Sequence, residues 1–442
     1  MRRRKAAKER PPAGPALPQS PGIGDMEDLF RDTEIKQIRV SLLGWYGLNR
    51  RDLPWRQPED DVEKRAYRVW VSEVMLQQTR VQTVIQYFER WMNKWPTIRH
   101  LSEASMEEVN EMWAGLGYYR RARYLFEGAK MIVSEGCQFP KTVSSLRKVP
   151  GIGEYTAGAI GSIAFKEVVP VVDGNVVRVI SRLKAISANP KDSITVKKFW
   201  ELAAQLVDPF EPGDFNQALM ELGATVCTPS SPSCSSCPVS DQCRALSISR
   251  HDSSVSVTDY PVKVVKVKQR HDFSAACVLE IMGDKEIPHN HQADSKFLLV
   301  KRPDEGLLAG LWEFPSVLLH GETDMVNRRE AMDQFLNKHF RINPRKTCNI
   351  VLREHLGEFV HVFTHIRLKI YVELLVIHPK GGMDLFRKQD NEALPWKFVD
   401  SMAISGMGLT SSVKKVYTMV EKFKQQKASY SSAPAKKRNR RT

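Results

Sequence analysis

Four of the chain's seven cysteines lie close together, and their spacing indicates metal chemistry. They are Cys227, Cys234, Cys237 and Cys243, which form a C-x6-C-x2-C-x5-C pattern. No secretory signal is apparent, so four thiols in one short loop predict metal ligands rather than disulfides. Tetrahedral sulfur coordination suits either zinc or an iron–sulfur cluster, and the spacing alone does not choose between them.

A glycine-rich turn upstream has the features of a phosphate-binding hairpin. The turn PGIG, residues 150–153, joins the end of one helix to a small-residue helix from Tyr155 to Phe165. Unpaired amides at the start of a helix favour an anion. An apolar run then ends at Asp173, and a carboxylate after a phosphate grip fits a protein that holds DNA and acts on it. The alternative is an ordinary helical pair in which Asp173 only caps the next helix.

The elements that position these groups follow from a change of hydrophobic period. The pattern is helical from Ile35 to Leu206, and from Phe273 onward it is of β type, with one helix near Arg328–Phe340. We therefore predict a multidomain protein in which an all-α domain precedes an α+β domain. The expected segments are a disordered basic tail (1–30), the helical domain (31–248), a linker (249–270), the α+β domain (271–425) and a second basic tail (426–442).

The net charge of +15 belongs mostly to the two ends of the chain. The first ten residues carry +5 and the last sixteen carry +6, so the remainder is close to balanced. The basic composition is therefore weak evidence for a nucleic-acid-binding surface. The C-terminal run KKRNRR predicts nuclear import, and the Arg-rich, acid-poor N-terminus also fits a mitochondrial presequence. No apolar run reaches transmembrane length, so we expect no membrane association.

Six further motifs, read in order, identify a family. They are LPWR (53–56), SEVMLQQT (72–79), GLGYYRRAR (115–123), VPGIGEYTAGAI (149–160), VDGNVVRV (172–179) and FNQALMELGATVCTP (215–229). Together with the cysteine spacing they resemble eukaryotic MutY-type adenine DNA glycosylases of the endonuclease III, helix-hairpin-helix superfamily. The resemblance implies that the loop 227–243 holds a [4Fe–4S] cluster.

The resemblance also implies a reaction and its partners. The enzyme would bind double-stranded DNA as a monomer, flip out adenine mispaired with 8-oxoguanine or guanine, and remove it by hydrolysis. No clear sliding-clamp motif is found, and the sequence leaves open the repair and replication proteins that bind it. It also leaves open the rates, the preference for 8-oxoG:A over G:A and the division between nucleus and mitochondrion.

Two carboxylates in different environments can divide the work of breaking a glycosidic bond. Glu73 lies in the apolar run VWVSEVML, where burial would raise its pKa and keep it protonated; the alternative is a solvated helix residue. The resemblance assigns to Glu73 the protonation of adenine N7 and the activation of water. It assigns to an ionised Asp173 the stabilisation of the sugar cation, with Tyr155 and Asn175 as supporting hydrogen-bond partners.

Tyr155 also bears on strand cleavage. In relatives that cut the DNA, a lysine stands at this place after the hairpin and forms a Schiff base. A phenol cannot form an imine, so we predict a monofunctional glycosylase that leaves an abasic site.

The remaining DNA contacts come from the resemblance. A wedge would fill the space left by the flipped base: Gln78, Thr79 and Tyr118. A wall would surround adenine: Arg51, Trp55 and Arg56. Other residues would contact the DNA backbone: Val149, Gly151, Gly153, Arg120 and Arg121. The alternatives are core packing for Tyr118 and Trp55, and a plain solvated surface for the arginines.

The C-terminal domain resembles a Nudix (MutT-like) fold. Nudix hydrolases hold magnesium with R-E-x-x-E-E, but residues 329–334 read REAMDQ, which predicts a binding module. A Phe-Ser-His loop contacts 8-oxoguanine in the family, and here the loop is Phe363, Thr364 and His365. Threonine keeps the hydroxyl group and adds a methyl group. The alternative is an ordinary half-buried strand.

Two other functions compete with adenine removal. A pyrimidine-directed relative would share the helical core, but the Nudix-like domain and the LPWR segment favour adenine. A non-catalytic lesion sensor would have no use for both Glu73 and Asp173, so their presence argues against it.

Overall fold

The structure, a computed structural model, describes residues 29–264, 268–282, 295–303, 305–344, 346–380 and 394–431. The N-terminal half is helical, as its 3.6-residue period predicts. Its helices are α1 (Asp32–Asn49), α2 (Val62–Leu76), α3 (Val81–Lys94), α4 (Ile98–Ser102), α5 (Met106–Trp113), α6 (Arg120–Ser134), α7 (Val143–Leu146), α8 (Glu154–Phe165), α9 (Gly174–Lys184), α10 (Ser193–Leu206), α11 (Pro212–Thr225) and α12 (Arg244–His251). Among the described residues, no helix is both long and apolar enough to cross a membrane.

The C-terminal half alternates strands and helices. These elements are β1 (Arg270–Ile281), β2 (Lys296–Lys301), β3 (Trp312–Glu313), β4 (Ser316–Leu319), α13 (Met325–Phe340), β5 (Cys348–Val362), β6 (Ile366–Pro379), β7 (Trp396–Val399), α14 (Ser401–Gly406) and α15 (Ser411–Ser431). The expectation of an all-α part followed by an α+β part is confirmed, and the helix expected near residues 328–340 is α13.

The chain divides into two compact units, and the helical part is shared between them. The first unit comprises Met1–Arg50 and Val168–Lys263. It contains α1 and α9 to α12, and the apolar faces of α1 and α9 to α11 enclose a core that includes Phe199, Phe215 and Leu222. Asp192 caps α10 by accepting hydrogen bonds from two amides of its first turn, which fixes where that helix begins.

The second unit comprises Arg51–Glu167 and Val264–Thr442. In its helical part, α2 to α8 pack around three tryptophans, Trp70, Trp91 and Trp113, none of which is exposed. The sequence between Val69 and Trp95 reads as one apolar stretch, but α2 ends at Leu76 and α3 begins at Val81.

The sheet in the second unit is buried on both faces. Its strand order is β3-β2-β1-β6-β5, with β4 paired to β1 and β7 paired to β2. The long β1 runs parallel to β6, and alternate residues of β1 enter two different cores, Val278 on one face and Leu279 on the other. Helix α15 covers the first face through Val416 and Val420, and α13 covers the second through Leu336.

Three segment boundaries differ from those expected. Phe30 is 7% exposed and belongs to the core of the first unit, so ordered chain begins before the expected end of the N-terminal tail. The expected linker contains the end of α12 and a short 3-10 helix at Val257–Asp259. Helix α15 reaches Ser431, inside the expected C-terminal tail, although its contacts with the core beside the sheet end at Phe423. Residues 1–28 and 432–442 lie outside the described residues.

Candidate active site and DNA interface

Glu73 and Tyr155 are brought together by two packed helices of the second unit. Glu73 lies on α2 and is only 6% exposed, so the expectation that it is buried is confirmed. The Tyr155 hydroxyl group, in the first turn of α8, donates a hydrogen bond to Oε2 of Glu73 at 2.5 Å. One carboxyl oxygen of Glu73 is thus held by a phenol, and the residues on either side of it in α2 are buried. The pair is therefore an oriented acid or base, not a solvated helix residue.

Asp173 and Asn175 form a second pair, in the first unit. Asp173 precedes α9 and caps it by accepting a hydrogen bond from the Val176 amide at 2.8 Å. The other carboxylate oxygen accepts a hydrogen bond from Nδ2 of Asn175 at 2.7 Å. Asn175 is held in turn by Arg178, whose Nη2 donates to Oδ1 of Asn175 at 2.7 Å. The capping role considered as the plain alternative is thus real, and it coexists with an anchored carboxylate.

The environment of Asp173 acts on its pKa in two directions. Partial burial of the Asp173 side chain raises its pKa above that of an ordinary aspartate. The hydrogen bonds from Val176 and Asn175, and the charge of Arg178, oppose that rise because they stabilise the carboxylate form.

Gly223 explains why Asn175 lies so close to α11. A Cβ atom built on Gly223 would lie 2.6 Å from Cβ of Asn175 and 3.0 Å from its carbonyl oxygen. A Cβ atom essentially never approaches so closely, so only glycine allows α9 this approach. The motif residue Gly223 therefore positions Asn175, a role that the sequence did not reveal.

The turn between α7 and α8 has the hairpin geometry expected from its glycines. Gly151 has a φ of +79°, and a Cβ atom there would lie 2.5 Å from Cβ of Tyr124. Gly153 begins α8 without any side-chain cap, so the first amides of α8 depend on an outside acceptor. Val149 differs from the expectation: its side chain is buried, and its amide already donates to the Leu146 carbonyl at 3.0 Å. Its amide therefore shapes the turn and is not available to a phosphate.

Two expected wedge residues have exposed side chains on unusual backbone. Gln78 follows the end of α2 with a φ of 55°, and Tyr118 precedes α6 with a φ of 48°. Non-glycine residues adopt this left-handed conformation rarely, and such positions concentrate at functional sites. Tyr118 is 48% exposed, which excludes core packing as its role. Thr79 lies beside Gln78 and is half-buried, and its amide donates to the Leu76 carbonyl at 3.2 Å.

Arg121 holds both of these segments from inside the protein. Its guanidinium group donates to the carbonyl oxygens of Val74, Met75 and Gln77 at the end of α2, and to those of Leu116 and Gly117 beside Tyr118. Burial lowers the pKa of Arg121 to about 10, so it remains charged at neutral pH. The expected contact between Arg121 and the DNA backbone is wrong, because its side chain is 9% exposed.

Arg120 has the surface position that was expected for both arginines. It is exposed on α6, and its Nη2 donates to the Tyr124 hydroxyl group at 2.7 Å. The helical period separates the two neighbours, since Arg121 shares the apolar face of α6 with Leu125 and Ile132. That period was the signal in the sequence that could have told them apart.

The proposed adenine-wall residues lie in and beside a short 3-10 helix, Pro54–Arg56. Trp55 is half-buried, and its ring meets that of Phe88 edge to face at 5.4 Å. Arg56 donates a hydrogen bond to the Arg51 carbonyl oxygen at 3.2 Å, which closes the segment on itself. Trp55 therefore has a packing role, and the contact of all three residues with adenine stays a prediction.

The expected lesion loop is the tip of a long hairpin. Phe363, Thr364 and His365 lie between β5 and β6, outside both strands, so the plain-strand alternative is wrong. Gln269 holds the tip by donating to the carbonyl oxygens of Phe363 and Thr364. The Thr364 hydroxyl group forms a hydrogen bond with the Tyr118 hydroxyl group at 2.8 Å. Two expected lesion-contacting residues, 246 positions apart, are thus brought into contact within the second unit.

The REAMDQ stretch lies on α13 and is engaged in internal ion pairs. Asp333 pairs with Arg353 at 2.9 Å, and Arg329 pairs with Glu373 on β6. Asp333, which stands where the Nudix motif has a metal-binding glutamate, is therefore engaged in an ion pair with Arg353.

The cysteine loop packs against the core of the first unit. Val239 is buried in that core, and Cys227, Cys237 and Cys243 pack against the same cluster. Arg182, which is 1% exposed, points at the loop: its Nη1 lies 3.2 Å from Sγ of Cys227. Arg182 also donates to the carbonyl oxygens of Thr228 and Pro229, so it ties α9 to the start of the loop.

Comparisons with known proteins agree with this geometry. Family models match residues 71–205 (HhH-GPD superfamily base excision DNA repair protein), 227–243 (iron-sulfur binding domain of endonuclease III) and 290–419 (NUDIX domain). The chain is 60% identical over 420 residues to an adenine DNA glycosylase of Arabidopsis thaliana, covering 89% of this chain and 66% of that protein. It is 43% identical over 435 residues to the adenine DNA glycosylase of Mus musculus, covering 90% and 80%.

The chain belongs to the adenine DNA glycosylase family. It is an adenine-specific DNA N-glycosylase, an enzyme that hydrolyses the bond between the base and its sugar. A solved thermostable thymine-DNA glycosylase is 28% identical, with a TM-score of 0.44, and covers 49% of this chain and 98% of that chain.

The glycosylase carries a [4Fe–4S] cluster, and its loop 227–243 matches the iron-sulfur binding domain of endonuclease III. Burial raises the pKa of Cys237 to about 12 because it disfavours the charged thiolate, and repulsion from the neighbouring thiolates adds to that rise. Bound iron would offset that repulsion, and the buried cation of Arg182 would suit a negatively charged cluster. In the part of the chain that the structure describes, no three His, Cys, Asp or Glu side chains are arranged to hold one metal ion. The four cysteines would hold the cluster, which would tie the loop together.

The buried position of Arg121 leads to a first prediction. Arg121→Lys removes hydrogen-bond donors from several backbone carbonyl oxygens at the end of α2 and beside Tyr118, so we expect the free energy of unfolding to fall by about 3 kcal/mol. Arg120→Lys is the matched control, with a change within about 0.5 kcal/mol. Urea unfolding of both variants measures the difference. A phosphate role for Arg121 would instead predict unchanged stability in Arg121→Lys, because lysine keeps the positive charge that a phosphate contact uses.

Proposed function

We propose that this glycosylase removes adenine paired with 8-oxoguanine, or with guanine, and leaves an abasic site without cutting the strand. Its family membership supports adenine as the base that leaves. The paired lesion and the monofunctional mechanism rest on the two contacts of the second unit described above, Glu73 with Tyr155 and Tyr118 with Thr364.

Glu73 is the proposed acid and base. In its protonated form it transfers a proton to N7 of adenine, and the bond between N9 and C1′ breaks with its electron pair going to the base. Water then adds to C1′, and its proton passes to the Glu73 carboxylate. The hydrogen bond from Tyr155 keeps the carboxyl group in one orientation during both transfers. Burial supports this role because it disfavours the charged form of the resting acid.

Asp173 is the proposed stabiliser of the positive charge on the sugar. Its carboxylate is held by the Val176 amide and by Asn175, so it needs no rearrangement when the charge develops. Asn175 is a positioning residue in this proposal, and Arg178 positions Asn175 in turn.

The lack of strand cleavage rests on the identity of residue 155. A Schiff base with the sugar requires a primary amine. Tyr155 has a phenol instead, and its hydroxyl group already donates a hydrogen bond to Glu73, the proposed acid. The proposed product is therefore an intact strand with an abasic site.

The observation that carries the lesion assignment is the hydrogen bond between Tyr118 and Thr364. It connects the wedge candidate of the helical part to the hairpin tip of the Nudix-like domain. The exposed side chains of Tyr118 and Thr364 meet at one point. They supply an aromatic face and polar groups that can contact the base left opposite a flipped nucleotide. The wall formed by Arg51, Trp55 and Arg56, and a monomeric enzyme that acts in the nucleus and mitochondrion, are further parts of the proposal.

A single-turnover assay tests the proposal on duplexes that contain 8-oxoG:A, G:A or T:A. We expect adenine release from the first two, faster from 8-oxoG:A, and no covalent complex when borohydride is present. Thr364→Val keeps the side-chain shape but removes the hydroxyl group, so it should lower the rate on 8-oxoG:A by about 3- to 10-fold relative to G:A. Thr418→Val on α15, whose hydroxyl group only bonds to the Lys414 carbonyl, is the matched control.

Three results would each remove part of the proposal. Equal rates on 8-oxoG:A and G:A for the wild-type enzyme exclude the lesion preference. A trapped complex as abundant as a lyase produces excludes the monofunctional mechanism. Binding without any release of adenine would instead favour a lesion sensor.

A further inference from the structure

A loop of the Nudix-like domain packs into the helical core of the second unit. Leu311, just before β3, is 3% exposed and belongs to the core that surrounds the tryptophans of α2, α3 and α5. Leu308 packs against the same core and has a φ of 56°, which turns the loop inward. Arg302 stiffens this loop by donating to the Leu307 carbonyl oxygen at 2.8 Å and by pairing with Glu313 at 2.7 Å. The Nudix-like domain and the helical part of the second unit are thus joined by the buried side chain of Leu311 and the half-buried side chain of Leu308.

A glycine makes a second contact between the same two parts. A Cβ atom built on Gly408, between α14 and α15, would lie 2.2 Å from Cα of Glu111 and 2.7 Å from its backbone nitrogen. These are backbone atoms of α5, so they cannot turn aside as a flexible side chain would. Gly406, two positions earlier, has nothing within 4 Å of its hypothetical Cβ. Only Gly408 therefore needs to be glycine for the close approach to α5.

An ion pair lies at the edge of this contact. Nζ of Lys301, at the end of β2, is 3.5 Å from Oε1 of Glu107 on α5. The carboxylate is 59% exposed, so the pair adds little stability and serves mainly to set the register of the two surfaces.

Helix α5 leads directly from these contacts to the wedge candidate. It ends at Trp113, whose Nε1 donates to the Gly117 carbonyl oxygen at 2.9 Å. Tyr118 follows, and its hydroxyl group meets Thr364 at 2.8 Å. A hydrogen bond is lost when its atoms separate by several tenths of an ångström beyond 3.2 Å, so a small shift of the Nudix-like domain on α5 would break this one.

We propose that Leu308, Leu311, Gly408 and the Lys301–Glu107 pair form a docking clasp that positions Thr364 for recognition of the oxidised base. The clasp is a specificity-determining positioning element, because none of its residues reaches Glu73 or Tyr155 through a described contact. This inference rests on the proposed function, since it explains how the preference for 8-oxoguanine over guanine is maintained. It predicts that loosening the clasp lowers that preference while adenine removal from G:A continues.

Gly408→Ala and Gly406→Ala form a matched pair for the test. Both glycines lie outside the left-handed backbone region, so alanine causes no backbone strain at either. We expect Gly408→Ala to lower the ratio of the single-turnover rates on 8-oxoG:A and G:A by about tenfold, the value of one or two hydrogen bonds. The rate on G:A should stay within about twofold, and Gly406→Ala should behave as the wild type.

A double variant shows whether the clasp acts through the hairpin tip. Adding Thr364→Val to Gly408→Ala should lower the ratio no further, because the contact is already lost. The proposal is overturned if Gly408→Ala leaves the ratio of the rates on 8-oxoG:A and G:A unchanged. It is also overturned if the variant, with its native iron content, loses the same factor in rate on both duplexes. If Gly408→Ala fails to fold, Leu308→Gly loosens the same clasp without adding an atom. The same two outcomes, measured on Leu308→Gly, would then overturn the proposal. A wild-type ratio of one would instead reject the proposed function, before any variant is compared.

Discussion

Glu73→Gln should abolish most adenine release while leaving the fold and DNA binding intact. Glutamine has the volume of glutamate and can still accept the hydrogen bond from Tyr155, but it can neither give a proton to N7 nor take one from water. General acid–base catalysis typically contributes about 10²- to 10⁴-fold, so we expect a loss in that range. Single-turnover release of adenine from 8-oxoG:A measures the rate, and gel-shift titration should give a Kd within about twofold of wild type.

The control for Glu73→Gln lies on the same helix. Glu63, in the first turn of α2, accepts a hydrogen bond from the Phe139 amide at 2.7 Å and has no proposed chemical role. Glu63→Gln should therefore leave the rate within about threefold. Tyr155→Phe separates orientation from proton transfer: it removes the hydroxyl group that donates to Glu73 and leaves the carboxyl group in place, so the rate of adenine release should fall by about 10- to 100-fold.

Two outcomes would contradict the assignment of Glu73. Equal losses in Glu73→Gln and Glu63→Gln would mean that the helix is being disturbed rather than the chemistry. A Glu73→Gln variant that releases adenine at the wild-type rate would place the acid elsewhere.

Cys237→Ser should remove the cluster and destabilise the first unit. Serine is a poor iron ligand, and the cysteine loop has little apolar side chain of its own beyond Val239 to hold it on the core. In small structural metal sites roughly 10 kcal/mol of metal-binding free energy is coupled to folding, so the loss of one ligand should lower stability by several kcal/mol. Iron and sulfide content, visible absorbance and the midpoint of urea unfolding measure the effect.

Cys137→Ser is the matched control, because Cys137 is also half-buried but packs against the helical core of the second unit. It should keep its iron, its colour and a stability within about 1 kcal/mol of wild type. Full iron occupancy in Cys237→Ser would show that the cysteine is not a ligand. A colourless wild-type protein that contains zinc would reject the cluster itself.

The chemistry of the site was largely predictable from residue types and local spacing. An apolar run around Glu73 is enough to predict burial, because every face of α2 near that residue meets other helices. The four cysteines indicate a metal site through their spacing alone, although only the family match distinguishes iron–sulfur from zinc. The turn at residues 150–153 is predictable because Gly151 must adopt a positive φ.

Arg120 and Arg121 show where sequence reasoning failed. The resemblance predicts that both contact the DNA backbone, with a plain solvated surface as the alternative. The structure buries Arg121 against the carbonyl oxygens at the end of α2, where its charge orders the backbone around Gln78 and Tyr118. The helical period places Arg121 on the apolar face of α6, but the carbonyl oxygens that it meets there depend on how α6 packs against α2.

The sequence by itself determined the order of the domains, the burial of Glu73 and the four cysteines expected to hold the cluster. These follow from residue type and short spacing, which act locally along the chain. Only the tertiary structure decided that Tyr118 meets Thr364 and that Gly408 must fit against the backbone of Glu111. The physical reason is that such contacts join residues hundreds of positions apart, and their distances depend on how whole elements pack.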